Sequence, residues 1–292
     1  MSISPSIAVI IVALLTFVCL IVAFRCLKRK RLIDDLPTSK TQGAFIGLTE
    51  LKGTAESESP LTSYLAGMKC VQYTWDVKEH WSRTVTETYT DSNGHMQIRT
   101  RHESGWTVVA QGEEAAPFYL KDDSGVIRIM PEGAEIKSIH TMSKTVRRDN
   151  AFYFGKCPHQ EIANTDHERL FEETAIPLHV GLYVMGQARE RKDVVAAEIA
   201  KDKNAPVFLI SMQTESQVST GYGRWCFFWS FLGLLMVTGG VFVQSRFEPF
   251  GRETGLLPYI IAAFVYLAAF LAGWTWTVNN SLVSLRQHVN QA

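Results

Sequence analysis

The side chains able to do chemistry are scattered along this chain, and their spacing decides what they can become. Cys70 opens the run CVQYTWDV over residues 70–77, and His80 and His95 follow it. A thiol beside an imidazole is the minimum of a nucleophilic pair, because the imidazole can take the thiol proton. The run around Cys70 is rich in Val, Tyr, Thr and Trp, the composition of a strand. Cysteine is also among the most buried residue types, so Cys70 is expected to pack rather than attack. Cys157, His159, His167 and His179 offer metal-ligating atoms, yet C-x-H followed by two distant histidines matches no paired zinc spacing. Asp122 and Asp123 are adjacent carboxylates in the segment KDDSG over residues 121–125. Neighbouring side chains in a hairpin turn diverge, and Asp and Gly serve turns through side-chain-to-backbone bonds and positive φ. No G-x-S-x-G elbow, P-loop or H-E-x-x-H occurs. The expectation is no catalytic residue, no cofactor site and no metal site.

Composition points the same way. The chain has 292 residues, with 29 Lys and Arg against 29 Asp and Glu, so no basic excess marks a nucleic-acid partner. Its five cysteines, Cys19, Cys26, Cys70, Cys157 and Cys226, are odd in number and form no C-x-x-C pair. That pattern indicates neither a disulfide framework nor a zinc ribbon, and a reducing compartment fits it.

The elements that would position these residues are set by three apolar runs. Residues 7–24 carry no charge and are long enough to cross a bilayer, for which about 18 apolar residues suffice. A secretory signal peptide would want a basic segment before the apolar core, whereas here Arg25, Lys28, Arg29, Lys30 and Arg31 follow it. The run therefore reads as a retained anchor with its basic flank on the cytoplasmic side and its N-terminus outside. Residues 25–47 form a basic and polar joint. Residues 225–244 are a second span, with Trp225 and Trp229 suited to the headgroup level, and residues 256–278 a third, ending in Trp274 and Trp276. Pro258 falls in the first turn of the third, where proline is tolerated. Residues 245–255 are a short loop outside the membrane core. Residues 279–292 are an amphipathic tail, with Leu282, Leu285 and Val289 at helical spacing. No Asp, Glu, Lys, Arg or His lies within any span, which argues against a solute path.

Residues 48–215 read as one β-rich domain between the first and second spans. Strands are expected over residues 48–53, 70–77, 106–110, 118–120, 126–130, 179–188 and 206–214. Residues 82–103 read as a long exposed hairpin turning at Asn93-Gly94. The stretch leading to residue 77 reads as a core strand entered through a loop, with residues 60–67 as an exposed recognition loop the functional alternative, and the charged residues 165–173 as a helical turn or the flank of a lid. Leu51-Lys52-Gly53-Thr54-Ala55 is echoed by Val184-Met185-Gly186-Gln187-Ala188, as duplicated β-units would produce. The fold class expected is an integral membrane protein, with three transmembrane helices plus a mainly-β (β-rich α+β) soluble domain between the first and second.

Several segments carry a family resemblance. They are residues 53–56 with 60–63, Gly67 with Cys70, Val71 and Tyr73, residues 117–125 with 131–135, and residues 184–188, preceded by residues 32–40. In this order they resemble the GIDE-type, or "beside a membrane", domain of the membrane-anchored mitochondrial ubiquitin ligases and their RING-less bacterial relatives. The ligases carry a RING, which needs eight Cys/His zinc ligands in paired spacing, and these residues hold no such set. The resemblance therefore implies a membrane-anchored, non-catalytic binding or scaffold domain in a membrane complex, with a ubiquitin-ligase-like transferase as the alternative. The tail resembles the opening helix of LemA-family proteins, which implies a bacterial inner-membrane setting. The mitochondrial outer membrane is the alternative setting. The partners expected are the bilayer and a protein, either a LemA-type membrane protein or a second copy, and no nucleic acid.

Overall fold

In a computed structural model of the full chain, the structure describes residues 5–90, 94–191, 193–203, 205–247 and 255–291. In chain order the elements are α1 (Pro5–Asp35), β1 (Thr38–Ser39), β2 (Gly47–Glu56), β3 (Leu61–Thr62), β4 (Lys69–Thr90) and β5 (Met96–Ala115). Then come β6 (Phe118–Lys121), β7 (Val126–Ile129), β8 (Glu135–Lys137), β9 (Ile139–Arg147), α2 (Phe152–Gly155) and β10 (Thr165–Pro177). The last are β11 (Gly181–Glu190), β12 (Ala197–Ala200), β13 (Leu209–Ser211), α3 (Glu215–Phe247) and α4 (Leu257–Gln291). They divide into a helical unit, Met1–Pro37 with Gln213–Ala292, and a β unit, Thr38–Met212.

In the helical unit, α1, α3 and α4 are each long and apolar enough to cross a membrane, over Val9–Asp35, Glu215–Gln244 and Leu257–Asn280. The shortest, 24 residues, rises about 36 Å, more than the roughly 30 Å of a hydrocarbon core. Helices α1 and α3 run antiparallel, and small residues set their approach. A side chain on Gly240 would come within 2.7 Å of Val12, and one on Gly223 within 3.4 Å of Lys30. Phe24 stacks on Phe270 at 5.6 Å between ring centres, and the Tyr266 hydroxyl donates to the Ser230 carbonyl at 2.7 Å, which ties α4 to both. The outward faces expose Ile10, Leu14, Phe17, Phe227, Phe264 and Leu271. Helix α1 continues to Asp35, through the segment expected as a joint. A basic run is no helix breaker, and the continuation keeps its backbone hydrogen-bonded. Helix α4 likewise continues to Gln291, so the expected separate tail is the end of a span-length helix. The side chains of Leu282, Leu285 and Val289, and the 245–255 loop from residue 248 to 254, lie outside the described residues.

The β unit is built on a barrel. Strand β2 pairs antiparallel with β6, β6 with β7, β12 with β11, and β11 back with β2, while β7 and β12 run parallel. This closes a five-stranded Greek-key ring with the connectivity of an OB-type barrel. Its core holds Leu51, Ala55, Phe118, Leu120, Ile127, Ile129, Val184, Ala188 and Ile199. The two echoed segments are neighbouring strands of this one ring, with Leu51 paired to Val184. Each needs its glycine. A side chain on Gly53 would run into the Lys121 carbonyl of β6, and one on Gly186 would lie 2.7 Å from Ile199. Strands β1, β13 and β8 extend the sheet at its margins.

A second sheet is assembled from two insertions into the barrel sequence. Strands β3, β4 and β5 lie between β2 and β6, and β9 and β10 between β7 and β11. Strand β10 pairs with β4 on one edge and β9 on the other, and β5 pairs with β4. Residues 165–173 are therefore strand, where a helical turn or lid was expected. Their inward positions Arg169, Phe171 and Glu173 alternate at period two, and two of the three are charged, which disguised the strand. The expected 106–110 strand is a five-residue part of the 20-residue β5, and that over 206–214 shortens to Leu209–Ser211.

Candidate functional site

The residues first considered for chemistry are held apart by this fold. Cys70 and His80 lie ten residues apart on one strand, about 33 Å at the rise of extended chain, and His95 lies near the far end of the hairpin. Cys70 is buried, its thiol facing the Leu61 carbonyl at 3.9 Å. Burial pushes it up to about 11, with Glu173 and Glu114 adding to the shift, so little thiolate exists near neutrality. The four candidate metal ligands also disperse. His167 meets Glu161 at 3.2 Å, His179 meets Glu56 at 2.7 Å, and His159 stacks on Phe154 at 5.7 Å. Cys157 packs against the cluster of Val77, Tyr153 and Phe171. Among the described residues no group of three His, Cys, Asp or Glu could hold a metal ion.

The adjacent carboxylates form the turn their sequence implied. Asp122 accepts hydrogen bonds from the amides of Thr41, Ser124 and Gly125 and from the hydroxyls of Thr41 and Ser124. Asp123 instead pairs with Lys40 at 2.5 Å. Burial alone would raise the Asp122 carboxyl, but the bonds from Thr41 and Ser124 outweigh it and hold it far below the ordinary range.

One grouping resembles a catalytic triad and fails on geometry. His80 Nδ1 lies 2.6 Å from Asp166 Oδ2, and the Ser82 hydroxyl donates to Asp166 Oδ1 at 2.7 Å. The serine hydroxyl thus donates to the aspartate and not to the imidazole, so the proton path of a triad is not formed. The Ser82 bond, followed by His80, holds the Asp166 carboxyl below its usual value. The three side chains lock β10 to β4 at the root of the hairpin.

Two buried carboxylates brace that root from within. Glu79 and Arg169 are fully buried and doubly bonded, at 3.1 and 2.9 Å, and Glu79 also accepts from the hydroxyls of Tyr153 at 3.0 Å and Thr165 at 2.6 Å. Arg169 spends its remaining donors on the carbonyls of Tyr153, Pro158 and Gln160, with its guanidinium over the Tyr153 ring at 4.2 Å. Every group in this pair is satisfied, which a buried ion pair requires. Glu173 accepts from the amides of Leu65 at 2.6 Å and Ala66 at 3.2 Å. Tyr64 stacks on Trp75 at 4.4 Å, and Ser63 and Leu65 are buried. The 60–67 segment, for which an exposed recognition loop was the alternative, is thus pinned to the sheet, with Ala66 and Gly67 at an exposed tip between Leu65 and Met68.

Beyond this braced root, residues 82–90 of β4 and 96–104 of β5 continue as a two-stranded arm about 25–30 Å long. The expected hairpin is present, with Gly94 at a φ of 83°, while Asn93 lies outside the described residues. Register sorts its side chains by chemistry. One face carries Thr84, Thr86, Thr88 and Thr90 against His102, Thr100, Ile98 and Met96, and no Asp, Glu, Lys or Arg. The other carries Glu87 opposite Arg99 and Arg83 opposite Glu103, the latter bridged at 2.7 Å. On the uncharged face Met96 is 77% exposed and Ile98 73%. Among the described residues no strand other than β4 pairs with β5, so its outer edge of amides and carbonyls is open. Sequence reading placed the hairpin but missed this sorting, which was legible as strict alternation in TVTETYT and MQIRTRH.

A family model described as GIDE, E3 ubiquitin ligase, matches residues 86–243, more than half of the chain. The match starts within the arm and runs through β5 to β13 into α3, so residues 53–73, which also carried the resemblance, precede it. No curated protein matches, and no solved structure matches.

Proposed function

The chain belongs to the GIDE family, and we propose that within it this protein is a membrane-anchored, non-catalytic binding module whose arm takes up a protein partner. Helices α1, α3 and α4 cross the bilayer in this reading. The basic residues from Arg25 to Arg31 keep the β unit on the cytoplasmic side, and the outward Ile, Leu and Phe side chains face lipid tails. The observation that carries the proposal is the sorted arm. Exposed Met96 and Ile98 sit on an uncharged face beside an open strand edge, and an open edge adds a partner strand through backbone hydrogen bonds. The ion-paired face opposite keeps the arm soluble. The partner is a membrane-associated protein that supplies an extended segment, a LemA-type protein or a second copy being the two sources expected.

A photo-crosslinker at Thr88 in the full-length protein tests this, because Thr88 lies opposite Ile98 on the uncharged face. A discrete protein adduct is expected, reduced about tenfold by Ile98→Lys, which is some 1.4 kcal/mol of binding. The same crosslinker at Glu87, on the opposite face, is expected to give none. Equal adducts from both positions, or a yield that Ile98→Lys leaves unchanged, would overturn the reading.

A second reading, participation in ubiquitin transfer, is favoured by the family's description. It would have to proceed without a RING within these residues, since their thirteen Cys and His have no paired zinc spacing. Its readout is ubiquitin discharge from a charged conjugating enzyme on adding the purified protein.

A further inference from the structure

At the basic end of the helical unit, α1 and α3 enclose a shallow pocket of about 390 Å³, lined by Lys30, Thr220, Gly223, Arg224 and Phe227. We propose that this pocket holds the phosphate headgroup of an anionic phospholipid. The inference rests on the reading that these helices cross a bilayer.

The pocket's construction matches that ligand. Gly223 has no side chain, which leaves the space over Lys30 open. Asp34 and Ser219 accept from the Lys30 ammonium at 2.5 and 2.9 Å and fix it in the wall. An ammonium has three donors, so one is left over for a phosphate oxygen in the pocket that Lys30 lines. Arg224 is exposed, and its planar guanidinium can grip two phosphate oxygens at once. Thr220 adds a hydroxyl. Arg29, one residue before Lys30, is turned away onto Tyr222, whose hydroxyl it meets at 3.3 Å. One turn deeper than Gly223, the lining residue Phe227 is 73% exposed, apolar surface at the depth where a lipid's glycerol and upper chains would lie. A phosphate over two cations is stabilised, whereas the ammonium of a choline head would be repelled by them. Basic pockets between membrane helices commonly select anionic headgroups in this way.

The test uses the full-length protein with phosphatidylglycerol and phosphatidylcholine at equal amounts, and native mass spectrometry to count retained lipid. Wild type should retain one phosphatidylglycerol in about tenfold preference. Arg224→Gln, an exposed change, should abolish that preference. Lys28→Gln removes an exposed cation of the same cluster outside the pocket and should leave the preference intact. Equal retention by Arg224→Gln and wild type would overturn the proposal. So would an equal loss from Lys28→Gln, which would assign the preference to the diffuse field of the basic cluster. Displacement of the lipid by millimolar glycerol phosphate would assign the pocket to a soluble phosphate compound instead. A protein that cannot be reconstituted into bilayers at all would overturn the spanning helices and the lipid site together. One that reconstitutes with no lipid preference would overturn the site alone.

Discussion

Arg169 shows how much one side chain can hold at the root of the arm. Its guanidinium bonds the Glu79 carboxylate twice and three main-chain carbonyls of residues 153–160. Arg169→Met would leave Glu79 buried without its cation, and such a loss costs about 3–5 kcal/mol. Thermal unfolding should show a large fall for that variant, with partial recovery when Glu79→Leu is added. Asp122 makes a prediction about pH. Its carboxyl is held far below the unfolded value of about 4, so its contribution is complete above that pH and declines as pH falls toward the folded value. Urea unfolding from pH 6 to 2.5 should show wild type more stable than Asp122→Asn, with the gap closing below about pH 4. Asp122 was readable from turn chemistry alone. Arg169 and Glu173 were not. In TDHERLFEE a charged residue at an inward position looks like surface until its partners, more than 80 residues away in β4 and near Leu65, are known.

The arm sets the scale of single elements. Among its described residues from 82 to 104 none is buried, so the arm contributes nothing to either hydrophobic core. Replacing residues 83–103 with Asn-Gly, which closes the paired Ser82 and Ser104 through a tight turn, should therefore leave the unfolding temperature within a few degrees. The same deletion should remove partner binding completely. A large loss of stability would mean that the arm is a structural brace rather than a presented surface. Elements of this kind are legible because alternation and an Asn-Gly turn are local signals. Helix ends were less so. The expected span boundaries at 24, 225 and 278 mark where hydrophobicity changes, while α1, α3 and α4 run on through polar residues because no proline interrupts those segments, and α3 carries Gly221 and Gly223 within it.

At the scale of the whole chain, closure of the barrel and assembly of the second sheet depend on pairings that no local pattern announces. Tyr73 pairs with Ala175, and Leu51 with Val184, across more than a hundred residues in each case. The class of domain followed from strand count and turn spacing, but its two-sheet architecture did not. Three apolar runs, by contrast, report the helical unit directly, because the bilayer imposes a length and a composition on any helix that crosses it. Labelling of single introduced cysteines tests most directly the proposal that these helices anchor a docking domain on the cytoplasmic face. Val195, 97% exposed in the β unit, and Gly251, between the second and third apolar runs, are the positions to substitute in the full-length protein. A membrane-impermeant maleimide applied to intact cells should label Gly251→Cys at once, and Val195→Cys only after permeabilisation. The reverse pattern would put the β unit and its arm on the far side of the membrane and contradict the account.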